Sequence, residues 1–425
     1  MRYEDSRAFA DACDAGDSLA RFRGQFNFPL ERDGRAPVYL CGNSLGLQPR
    51  LAEQYVREEL ANWRDYAVDG HFHSERPWLG YHRQATAGFA ELAGAGPDEV
   101  VAMNTLTVNL HLLMASFYRP TPERFKIVVE ARAFPSDRYA AASQLRLAGF
   151  DPAAGLLEWP AADADGRLDI RDLEALLARE GERIALLLLP GVQYYTGQVL
   201  DMAAICRLGR EAGCRVGLDL AHAIGNVELR LGDWAPDFAA WCTYKYLNAG
   251  PGAIAGAFVA ARHFAAGNLQ QLHGWWGNEE ATRFRMRPEF TPAHGAELWQ
   301  LSNPPILSLA PVVASLEIFR ETGLPALVDK SRQLTGYLDW LLARRYGDRV
   351  RSITPPGARG AQLSLRVRDA ALDGKRLFRE LCERNVTGDW REPDVIRVAP
   401  APLYNSFGDV YEFAERLGES LAASH

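Results

Sequence analysis

Short apolar runs alternate with amphipathic stretches between about residues 100 and 260. The runs 126–130 (KIVVE), 185–189, 216–220 and 238–243 are too short for helices and are bounded by polar or turn residues, which predicts buried strands of a parallel sheet. Between them, 103–117, 170–178 and 202–212 have the spacing of helices, and a further helix follows a break at 134–137. Strand and helix in alternation predict an α/β fold, a mainly parallel sheet with helices on both faces. Upstream, residues 1 to about 35 read as polar and helical, then extended. The glycine-rich loop Tyr39–Arg50 feeds a helix whose apolar face is Leu51, Tyr55, Val56, Leu60 and Trp63. From about Ala310 the texture changes to one long helix, a strand (AQLSLRV), a helix (372–384), a short strand (VIRVAP) and a last helix (411–422). That pattern predicts a small α+β domain made of 1–50 and 310–425, beside a large domain spanning 51–309.

The strands matter for what stands at their ends. Run 216–220 delivers Asp219 and His222, and run 238–243 delivers Tyr244 and Lys245. In parallel sheets, ligands sit beyond the carboxyl ends of the strands. Of 47 basic residues only Lys126, Lys245, Lys330 and Lys375 are lysines. Lys126 opens its strand, the wrong end for a ligand, and Lys330 and Lys375 lie in polar helical patterns. Lys245 is therefore the candidate for an amine that must lose its proton, which arginine does not do. Such an amine, with an aspartate at the same crevice, points to Schiff-base chemistry with pyridoxal phosphate. The competing reading is a lysine stem lying along a strand.

Other stretches leave two readings each. Thr105 and Thr107 either cap their helix or help its free amides hold a phosphate. Phe134 stands where it can stack on a cofactor ring, and Asp137 either caps a helix or accepts from the ring substituents. Arg397 in the VIRVAP strand faces solvent or grips a carboxylate bidentately. His71, His73 and His82 fall within twelve residues of one another, but no carboxylate or cysteine completes a metal set, so no metal is expected. Trp275 and Trp276 in a polar glycine loop cannot both pack into a local core, which points to an aromatic ligand or a subunit interface. Asn303, before a proline pair, fits a fixed loop.

Composition removes several classes. The 425 residues exceed one core, and the net charge of -7 disfavours nucleic acid and anionic membranes. No apolar run approaches a membrane span. The acidic N-terminus does not read as a signal peptide, so a cytoplasmic location is expected. Six cysteines without a CxxC pair read as reduced, mostly buried thiols.

Ten motifs then occur in one order: YLCGNSLGLQP, HSERPW, NTLTVNLHLLMASFYRPTP, EARAFPSD, GVQYYTGQ, DLAHAIGNVEL, WCTYKYLNAGPG, GWWG, SNPP and IRVAPAPLYNSF. With them the chain closely resembles the kynureninase family, pyridoxal-phosphate enzymes of the aspartate-aminotransferase-like fold type I. The resemblance implies hydrolysis of L-kynurenine or 3-hydroxy-L-kynurenine to anthranilate or 3-hydroxyanthranilate and L-alanine. It implies that Lys245 binds the cofactor and moves substrate protons, that Asp219 pairs with the pyridinium nitrogen near His222, and that Tyr244 protonates the β-carbon. It further implies that Phe134 stacks on the ring, that Asp137 contacts the cofactor, and that Leu106, Thr107, Tyr244, Trp275 and Asn303 hold the phosphate region. Trp275 and Asn303 would reach across a homodimer interface. Arg397 would take the substrate carboxylate, and His71, Ser302 and Asn303 would face its aromatic ring. Some relatives carry a serine where this chain has Pro190, so that side chain is left out of the site. The rival readings are a cysteine desulfurase or aminotransferase of the same superfamily, or a noncatalytic binding protein on that fold.

Overall fold

The computed structural model describes residues 2–264 and 269–423. Seven strands form the main sheet: β1 (Val100–Ala102), β2 (Lys126–Glu130), β3 (Leu156–Trp159), β4 (Ile184–Pro190), β5 (Arg215–Asp219), β6 (Phe238–Trp241) and β7 (Gly256–Val259). Their order across the sheet is β1-β7-β6-β5-β4-β2-β3, and β7 alone runs against its neighbours. The parallel pairs set Leu189 beside Leu218 and Asp219 beside Ala240, so β4, β5 and β6 end along one edge.

The continuous apolar runs follow from burial on both faces. Val128, Leu187, Leu189, Val216 and Leu218 enter the core on one side, while Ile127, Val129, Leu186 and Leu188 enter the core on the other. Period-two alternation makes every residue of such a strand apolar.

A second, four-stranded antiparallel sheet consists of β8 (Val350–Ser352), β9 (Leu363–Val367), β10 (Asp389–Arg391) and β11 (Val395–Val398) in the order β8-β9-β11-β10. Helices 374–383 and 407–423, with the second half of helix 324–346 and Ala10 of helix 7–15, close its own core. Helix 306–322 instead lies against helix 50–66 in the core of the main sheet.

Several local expectations are corrected. The long helix expected after Ala310 is two helices, Ile306–Thr322 and Leu324–Tyr346, separated at Gly323, whose φ of 73° breaks the helix and is followed by Pro325. β8 and β10 have only three residues each and leave too little pattern to read. The helix expected from Met103 begins at Leu106, and the helix expected after Asp137 begins at Pro135, a residue suited to the first turn. Trp63, expected on an apolar face, is 61% exposed at the open end of its helix. Lys330, expected on a polar helix face, is buried and paired to Asp17 at 2.7 Å. It ties the N-terminal segment to the Leu324–Tyr346 helix.

Candidate active site

Because β2, β4, β5 and β6 run the same way, their carboxyl ends bring Glu130, Pro190, Asp219 and, just past β6, Tyr244 and Lys245 to one crevice of ≈ 280 Å³. Leu106, Thr107, Phe134, Asp137, His222 and Arg397 also line it. A larger groove of ≈ 920 Å³ lies between the start of helix 50–66 and the 248–253 turn. Its charged residues Glu53 and Arg57 pair with each other. Size therefore does not identify the reactive site here; the convergence of titratable groups does.

Lys245 is half-buried, and its Nζ lies 2.8 Å from Nε2 of His222. Burial lowers the pKa of the lysine and holds the imidazole neutral, the latter reinforced by the charge of Lys245. His222 Nδ1 is buried without a partner. One oxygen of Asp219 accepts from the Ala221 amide at 2.7 Å. Burial, and then the charge of Asp219, push the Asp137 carboxyl up from its ordinary value. Burial also raises the Tyr244 phenol, keeping its proton available.

Glu130 went unnoticed in the sequence because it closes an ordinary strand. Burial, aided by the charge of Asp219, pushes its pKa up from 4.5 to about 8. Between those values the folded protein keeps a proton that the unfolded chain has released, so stability is fullest below the lower value and is lost as pH rises toward the upper. Glu130→Gln is expected to flatten the fall in Tm between pH 5 and pH 8 in cofactor-free protein, gaining several degrees at the alkaline end. An unchanged slope in thermal unfolding would contradict the assignment.

At the other end of the crevice two helices begin side by side. Thr107 Oγ and Ser136 Oγ lie 2.9 Å apart, one in the first turn of helix 106–117 and one in that of helix 135–147. Thr105 occupies the N-cap position but makes no side-chain cap, so the first amides lack that partner. Amides and hydroxyls together form an anion site. The Phe134 ring meets Tyr194 edge-on, with centroids 5.1 Å apart. The residues present therefore fit pyridoxal phosphate: donors for its phosphate, a carboxyl pair for its ring nitrogen, and a buried amine for its aldehyde.

The third wall comes from the Tyr39–Arg50 loop and the second sheet. The Gly46 amide donates to the Tyr244 carbonyl at 2.8 Å. A β-carbon on Gly46 would stand 2.1 Å from Asn248 Oδ1 and 2.4 Å from the Lys245 carbonyl. Gly46→Ala is therefore expected to cost roughly 1–3 kcal/mol of stability by overpacking and to lower turnover. Denaturant unfolding measures the first, and a variant as stable as the parent would refute the close approach. Ser44 of this loop, with Ser136, Tyr194 and Arg391, lines the crevice and was not singled out in the sequence. The motifs GNSLG, FPSD and QYYTG contain the first three, and Arg391 lies outside any motif, so nothing local says which side chain turns inward.

His71, Trp275, Ser302 and Asn303 do not line the crevice of their own chain. His71 stands edge-on to Trp78 at 5.2 Å, and Phe284 bridges Phe72 and Trp275 at 6.2 and 5.4 Å. Trp275 is 47% exposed, whereas Trp276 is buried beneath Arg283. Ser302 and Asn303 are exposed.

Residues 327–417 match the family model for the kynureninase C-terminal domain. The chain is 54% identical over 421 residues to the kynureninase of Xanthomonas campestris pv. campestris strain B100, covering 99% of both proteins. It is 53% identical, with the same coverage, to that of Xanthomonas oryzae pv. oryzae strain PXO99A. Among solved structures it resembles the cysteine desulfurase CsdA from Escherichia coli (TM-score 0.77, 20% identity, 96% of this chain and 99% of that one). It also resembles a C-DES variant with glycine covalently linked to its PLP cofactor (TM-score 0.75, 17% identity, 90% and 96%). These two similarities concern the fold.

Proposed function

The chain belongs to the kynureninase family, and from that premise we propose that the crevice around Lys245 is its active site. It is a pyridoxal-phosphate-dependent hydrolase that cleaves L-kynurenine, or its 3-hydroxy form, to anthranilate, or 3-hydroxyanthranilate, and L-alanine. The observation that carries the site is the buried, deprotonation-prone amine of Lys245 facing the same space as Asp219 and Asp137.

Bound there, pyridoxal phosphate supplies an electron sink for the pair left when the substrate α-proton departs. The amides of Leu106 and Thr107, with the Thr107 and Ser136 hydroxyls, would receive the phosphate. Phe134 would cover the ring, and Asp219 would take the ring nitrogen. Lys245, its pKa lowered by burial, is an amine able to accept the α-proton. Water adds to the γ-carbonyl, the β–γ bond breaks, and the water oxygen leaves in the anthranilate carboxylate. Tyr244, whose phenol burial keeps protonated, donates a proton to the β-carbon. Arg397 holds the α-carboxylate.

His71, Trp275, Ser302 and Asn303 serve the partner's crevice across a homodimer interface, Trp275 and Asn303 toward the phosphate and His71, Ser302 and Asn303 toward the substrate ring. The exposure of Trp275, Ser302 and Asn303, and the place of all four outside the lining of their own crevice, support this. Light scattering is expected to give a dimer; a fully active monomer would refute it. The same proposal divides the chain into a large cofactor-binding unit, 51–309, and a small unit of 1–50 and 310–425; the separate core of the second sheet supports the small unit from the second half of helix 324–346 onward, while helix 306–322 packs with the large one. It places the protein in the cytoplasm, supported by six unpaired cysteines, and in tryptophan catabolism or NAD biosynthesis. No helix among the described residues is long and apolar enough to cross a membrane.

Desulfurase chemistry requires a reactive thiolate at the crevice. No cysteine lines it, and burial raises the pKa of all six thiols. Cofactor-loaded protein given L-kynurenine is expected to release anthranilate and alanine in equal amounts. Consumption of a 2-oxo acid without anthranilate would identify an aminotransferase and overturn the assignment.

A further inference from the structure

The wall of the crevice contributed by the second sheet holds more charge than one carboxylate-binding arginine explains. Arg397 on β11 is fully buried; its Nη1 donates to the Tyr194 carbonyl at 2.8 Å and its Nη2 to Asp389 at 2.5 Å and to Ser44 Oγ at 3.2 Å. Arg391, at the end of the neighbouring β10, reaches the same Asp389 oxygen at 2.9 Å and the same Ser44 hydroxyl at 3.4 Å. That hydroxyl in turn donates to Asp389.

Two guanidiniums therefore share one buried carboxylate. Both line the crevice, and the Nε of each is buried without a partner. A buried charge is stable only when paired and hydrogen-bonded. Asp389 balances buried Arg397, while Arg391, its side chain 36% exposed, leaves the cluster one positive charge at the crevice and, with Arg397, two spare donors. These are complementary to a single carboxylate, which has two oxygens able to accept forked N–H groups.

We propose that Arg391 is a second guanidinium gripping the substrate α-carboxylate beside Arg397, and that Asp389, held by Ser44, is the shared counter-ion positioning both. This rests on the assignment of Arg397 to the substrate carboxylate. Asp389 fixes the two forks at one spacing and prevents the pair from repelling each other out of register. The arrangement selects a singly charged carboxylate carried on an α-amino acid.

The test uses the cofactor-loaded enzyme and two competitive inhibitors lacking a cleavable ketone: L-2-amino-4-phenylbutanoate and its neutral α-carboxamide. Arg391→Gln is expected to weaken the carboxylate about tenfold or more while changing the carboxamide by no more than about threefold, the pattern of a lost charge-assisted hydrogen bond. Arg397→Gln should show the same contrast more strongly. If Arg397→Gln discriminates between the probes and Arg391→Gln does not, the second grip is overturned while the carboxylate site stands. If neither discriminates, both assignments fail. An equal loss for both probes in Arg391→Gln marks a merely structural residue and also overturns the proposal. Should that variant not fold or load cofactor, Arg391→Lys carries the test: it keeps the charge but loses the fork, and an unaltered affinity for the carboxylate would refute gripping.

Discussion

Lys245→Ala is expected to lower turnover of L-kynurenine by roughly 10⁴-fold, since it removes both the group that anchors the cofactor and the proton acceptor, and a positioned base alone contributes about 10²–10⁴. The visible absorbance of the lysine-bound cofactor should vanish in the same variant. Folding should survive, because the substitution deletes an amine whose hydrogen-bond partner among the described residues is His222, and neutral His222 then stands beside a small cavity. Turnover near the parental rate, or an unchanged spectrum after cofactor addition, would move the chemistry away from β6.

Arg397→Ala is expected to act on binding. Truncating one member of a buried, hydrogen-bonded charge pair costs about 3 kcal/mol, so KM should rise roughly 100-fold. The effect on kcat should be much smaller, because Arg397 does not touch the groups at the ends of β5 and β6 that move protons. Asp389 remains paired to Arg391 at 2.9 Å in the variant, which limits the damage to the fold. Steady-state kinetics separate the two parameters. A fall in kcat at constant KM would place Arg397 in the chemical step and remove it from the carboxylate site.

Much of the crevice could be read from one dimension because its parts are local. A buried strand of four or five residues is largely apolar, and the polar residue that ends it is conspicuous: hence Asp219 at the end of β5 and Tyr244–Lys245 after β6. Scarcity singled out Lys245 further, since an arginine-rich chain placed one of four lysines there. Arg397 also stood out, as a charged residue within an apolar strand. Helix boundaries were less legible. Met103 and Asn104 adjoin an apolar, helix-like pattern, but the helix begins only after Thr105, and Asn104 adopts a φ of 47° that no right-handed helix contains. Trp63 and Lys330 exchanged expected environments because amphipathic spacing identifies a face without saying what packs on it.

Strand ends, the glycine turn and the scarce lysine are properties of short segments, so the order of residues was enough to give the α/β architecture, the meeting of Asp219 and Lys245 at one crevice and, with the ten motifs, the family. The pKa shifts and the arginine cluster belong to another scale. The carboxyls of Asp137 and Glu130 are pushed up because burial strips water from acidic groups brought to one crevice, an electrostatic condition that no segment carries alone. Ser44, Tyr194, Asp389 and Arg391 meet Arg397 from a glycine loop, a turn after β4 and a second sheet, joining residues up to 353 positions apart. Their contact exists only once two cores have packed against each other.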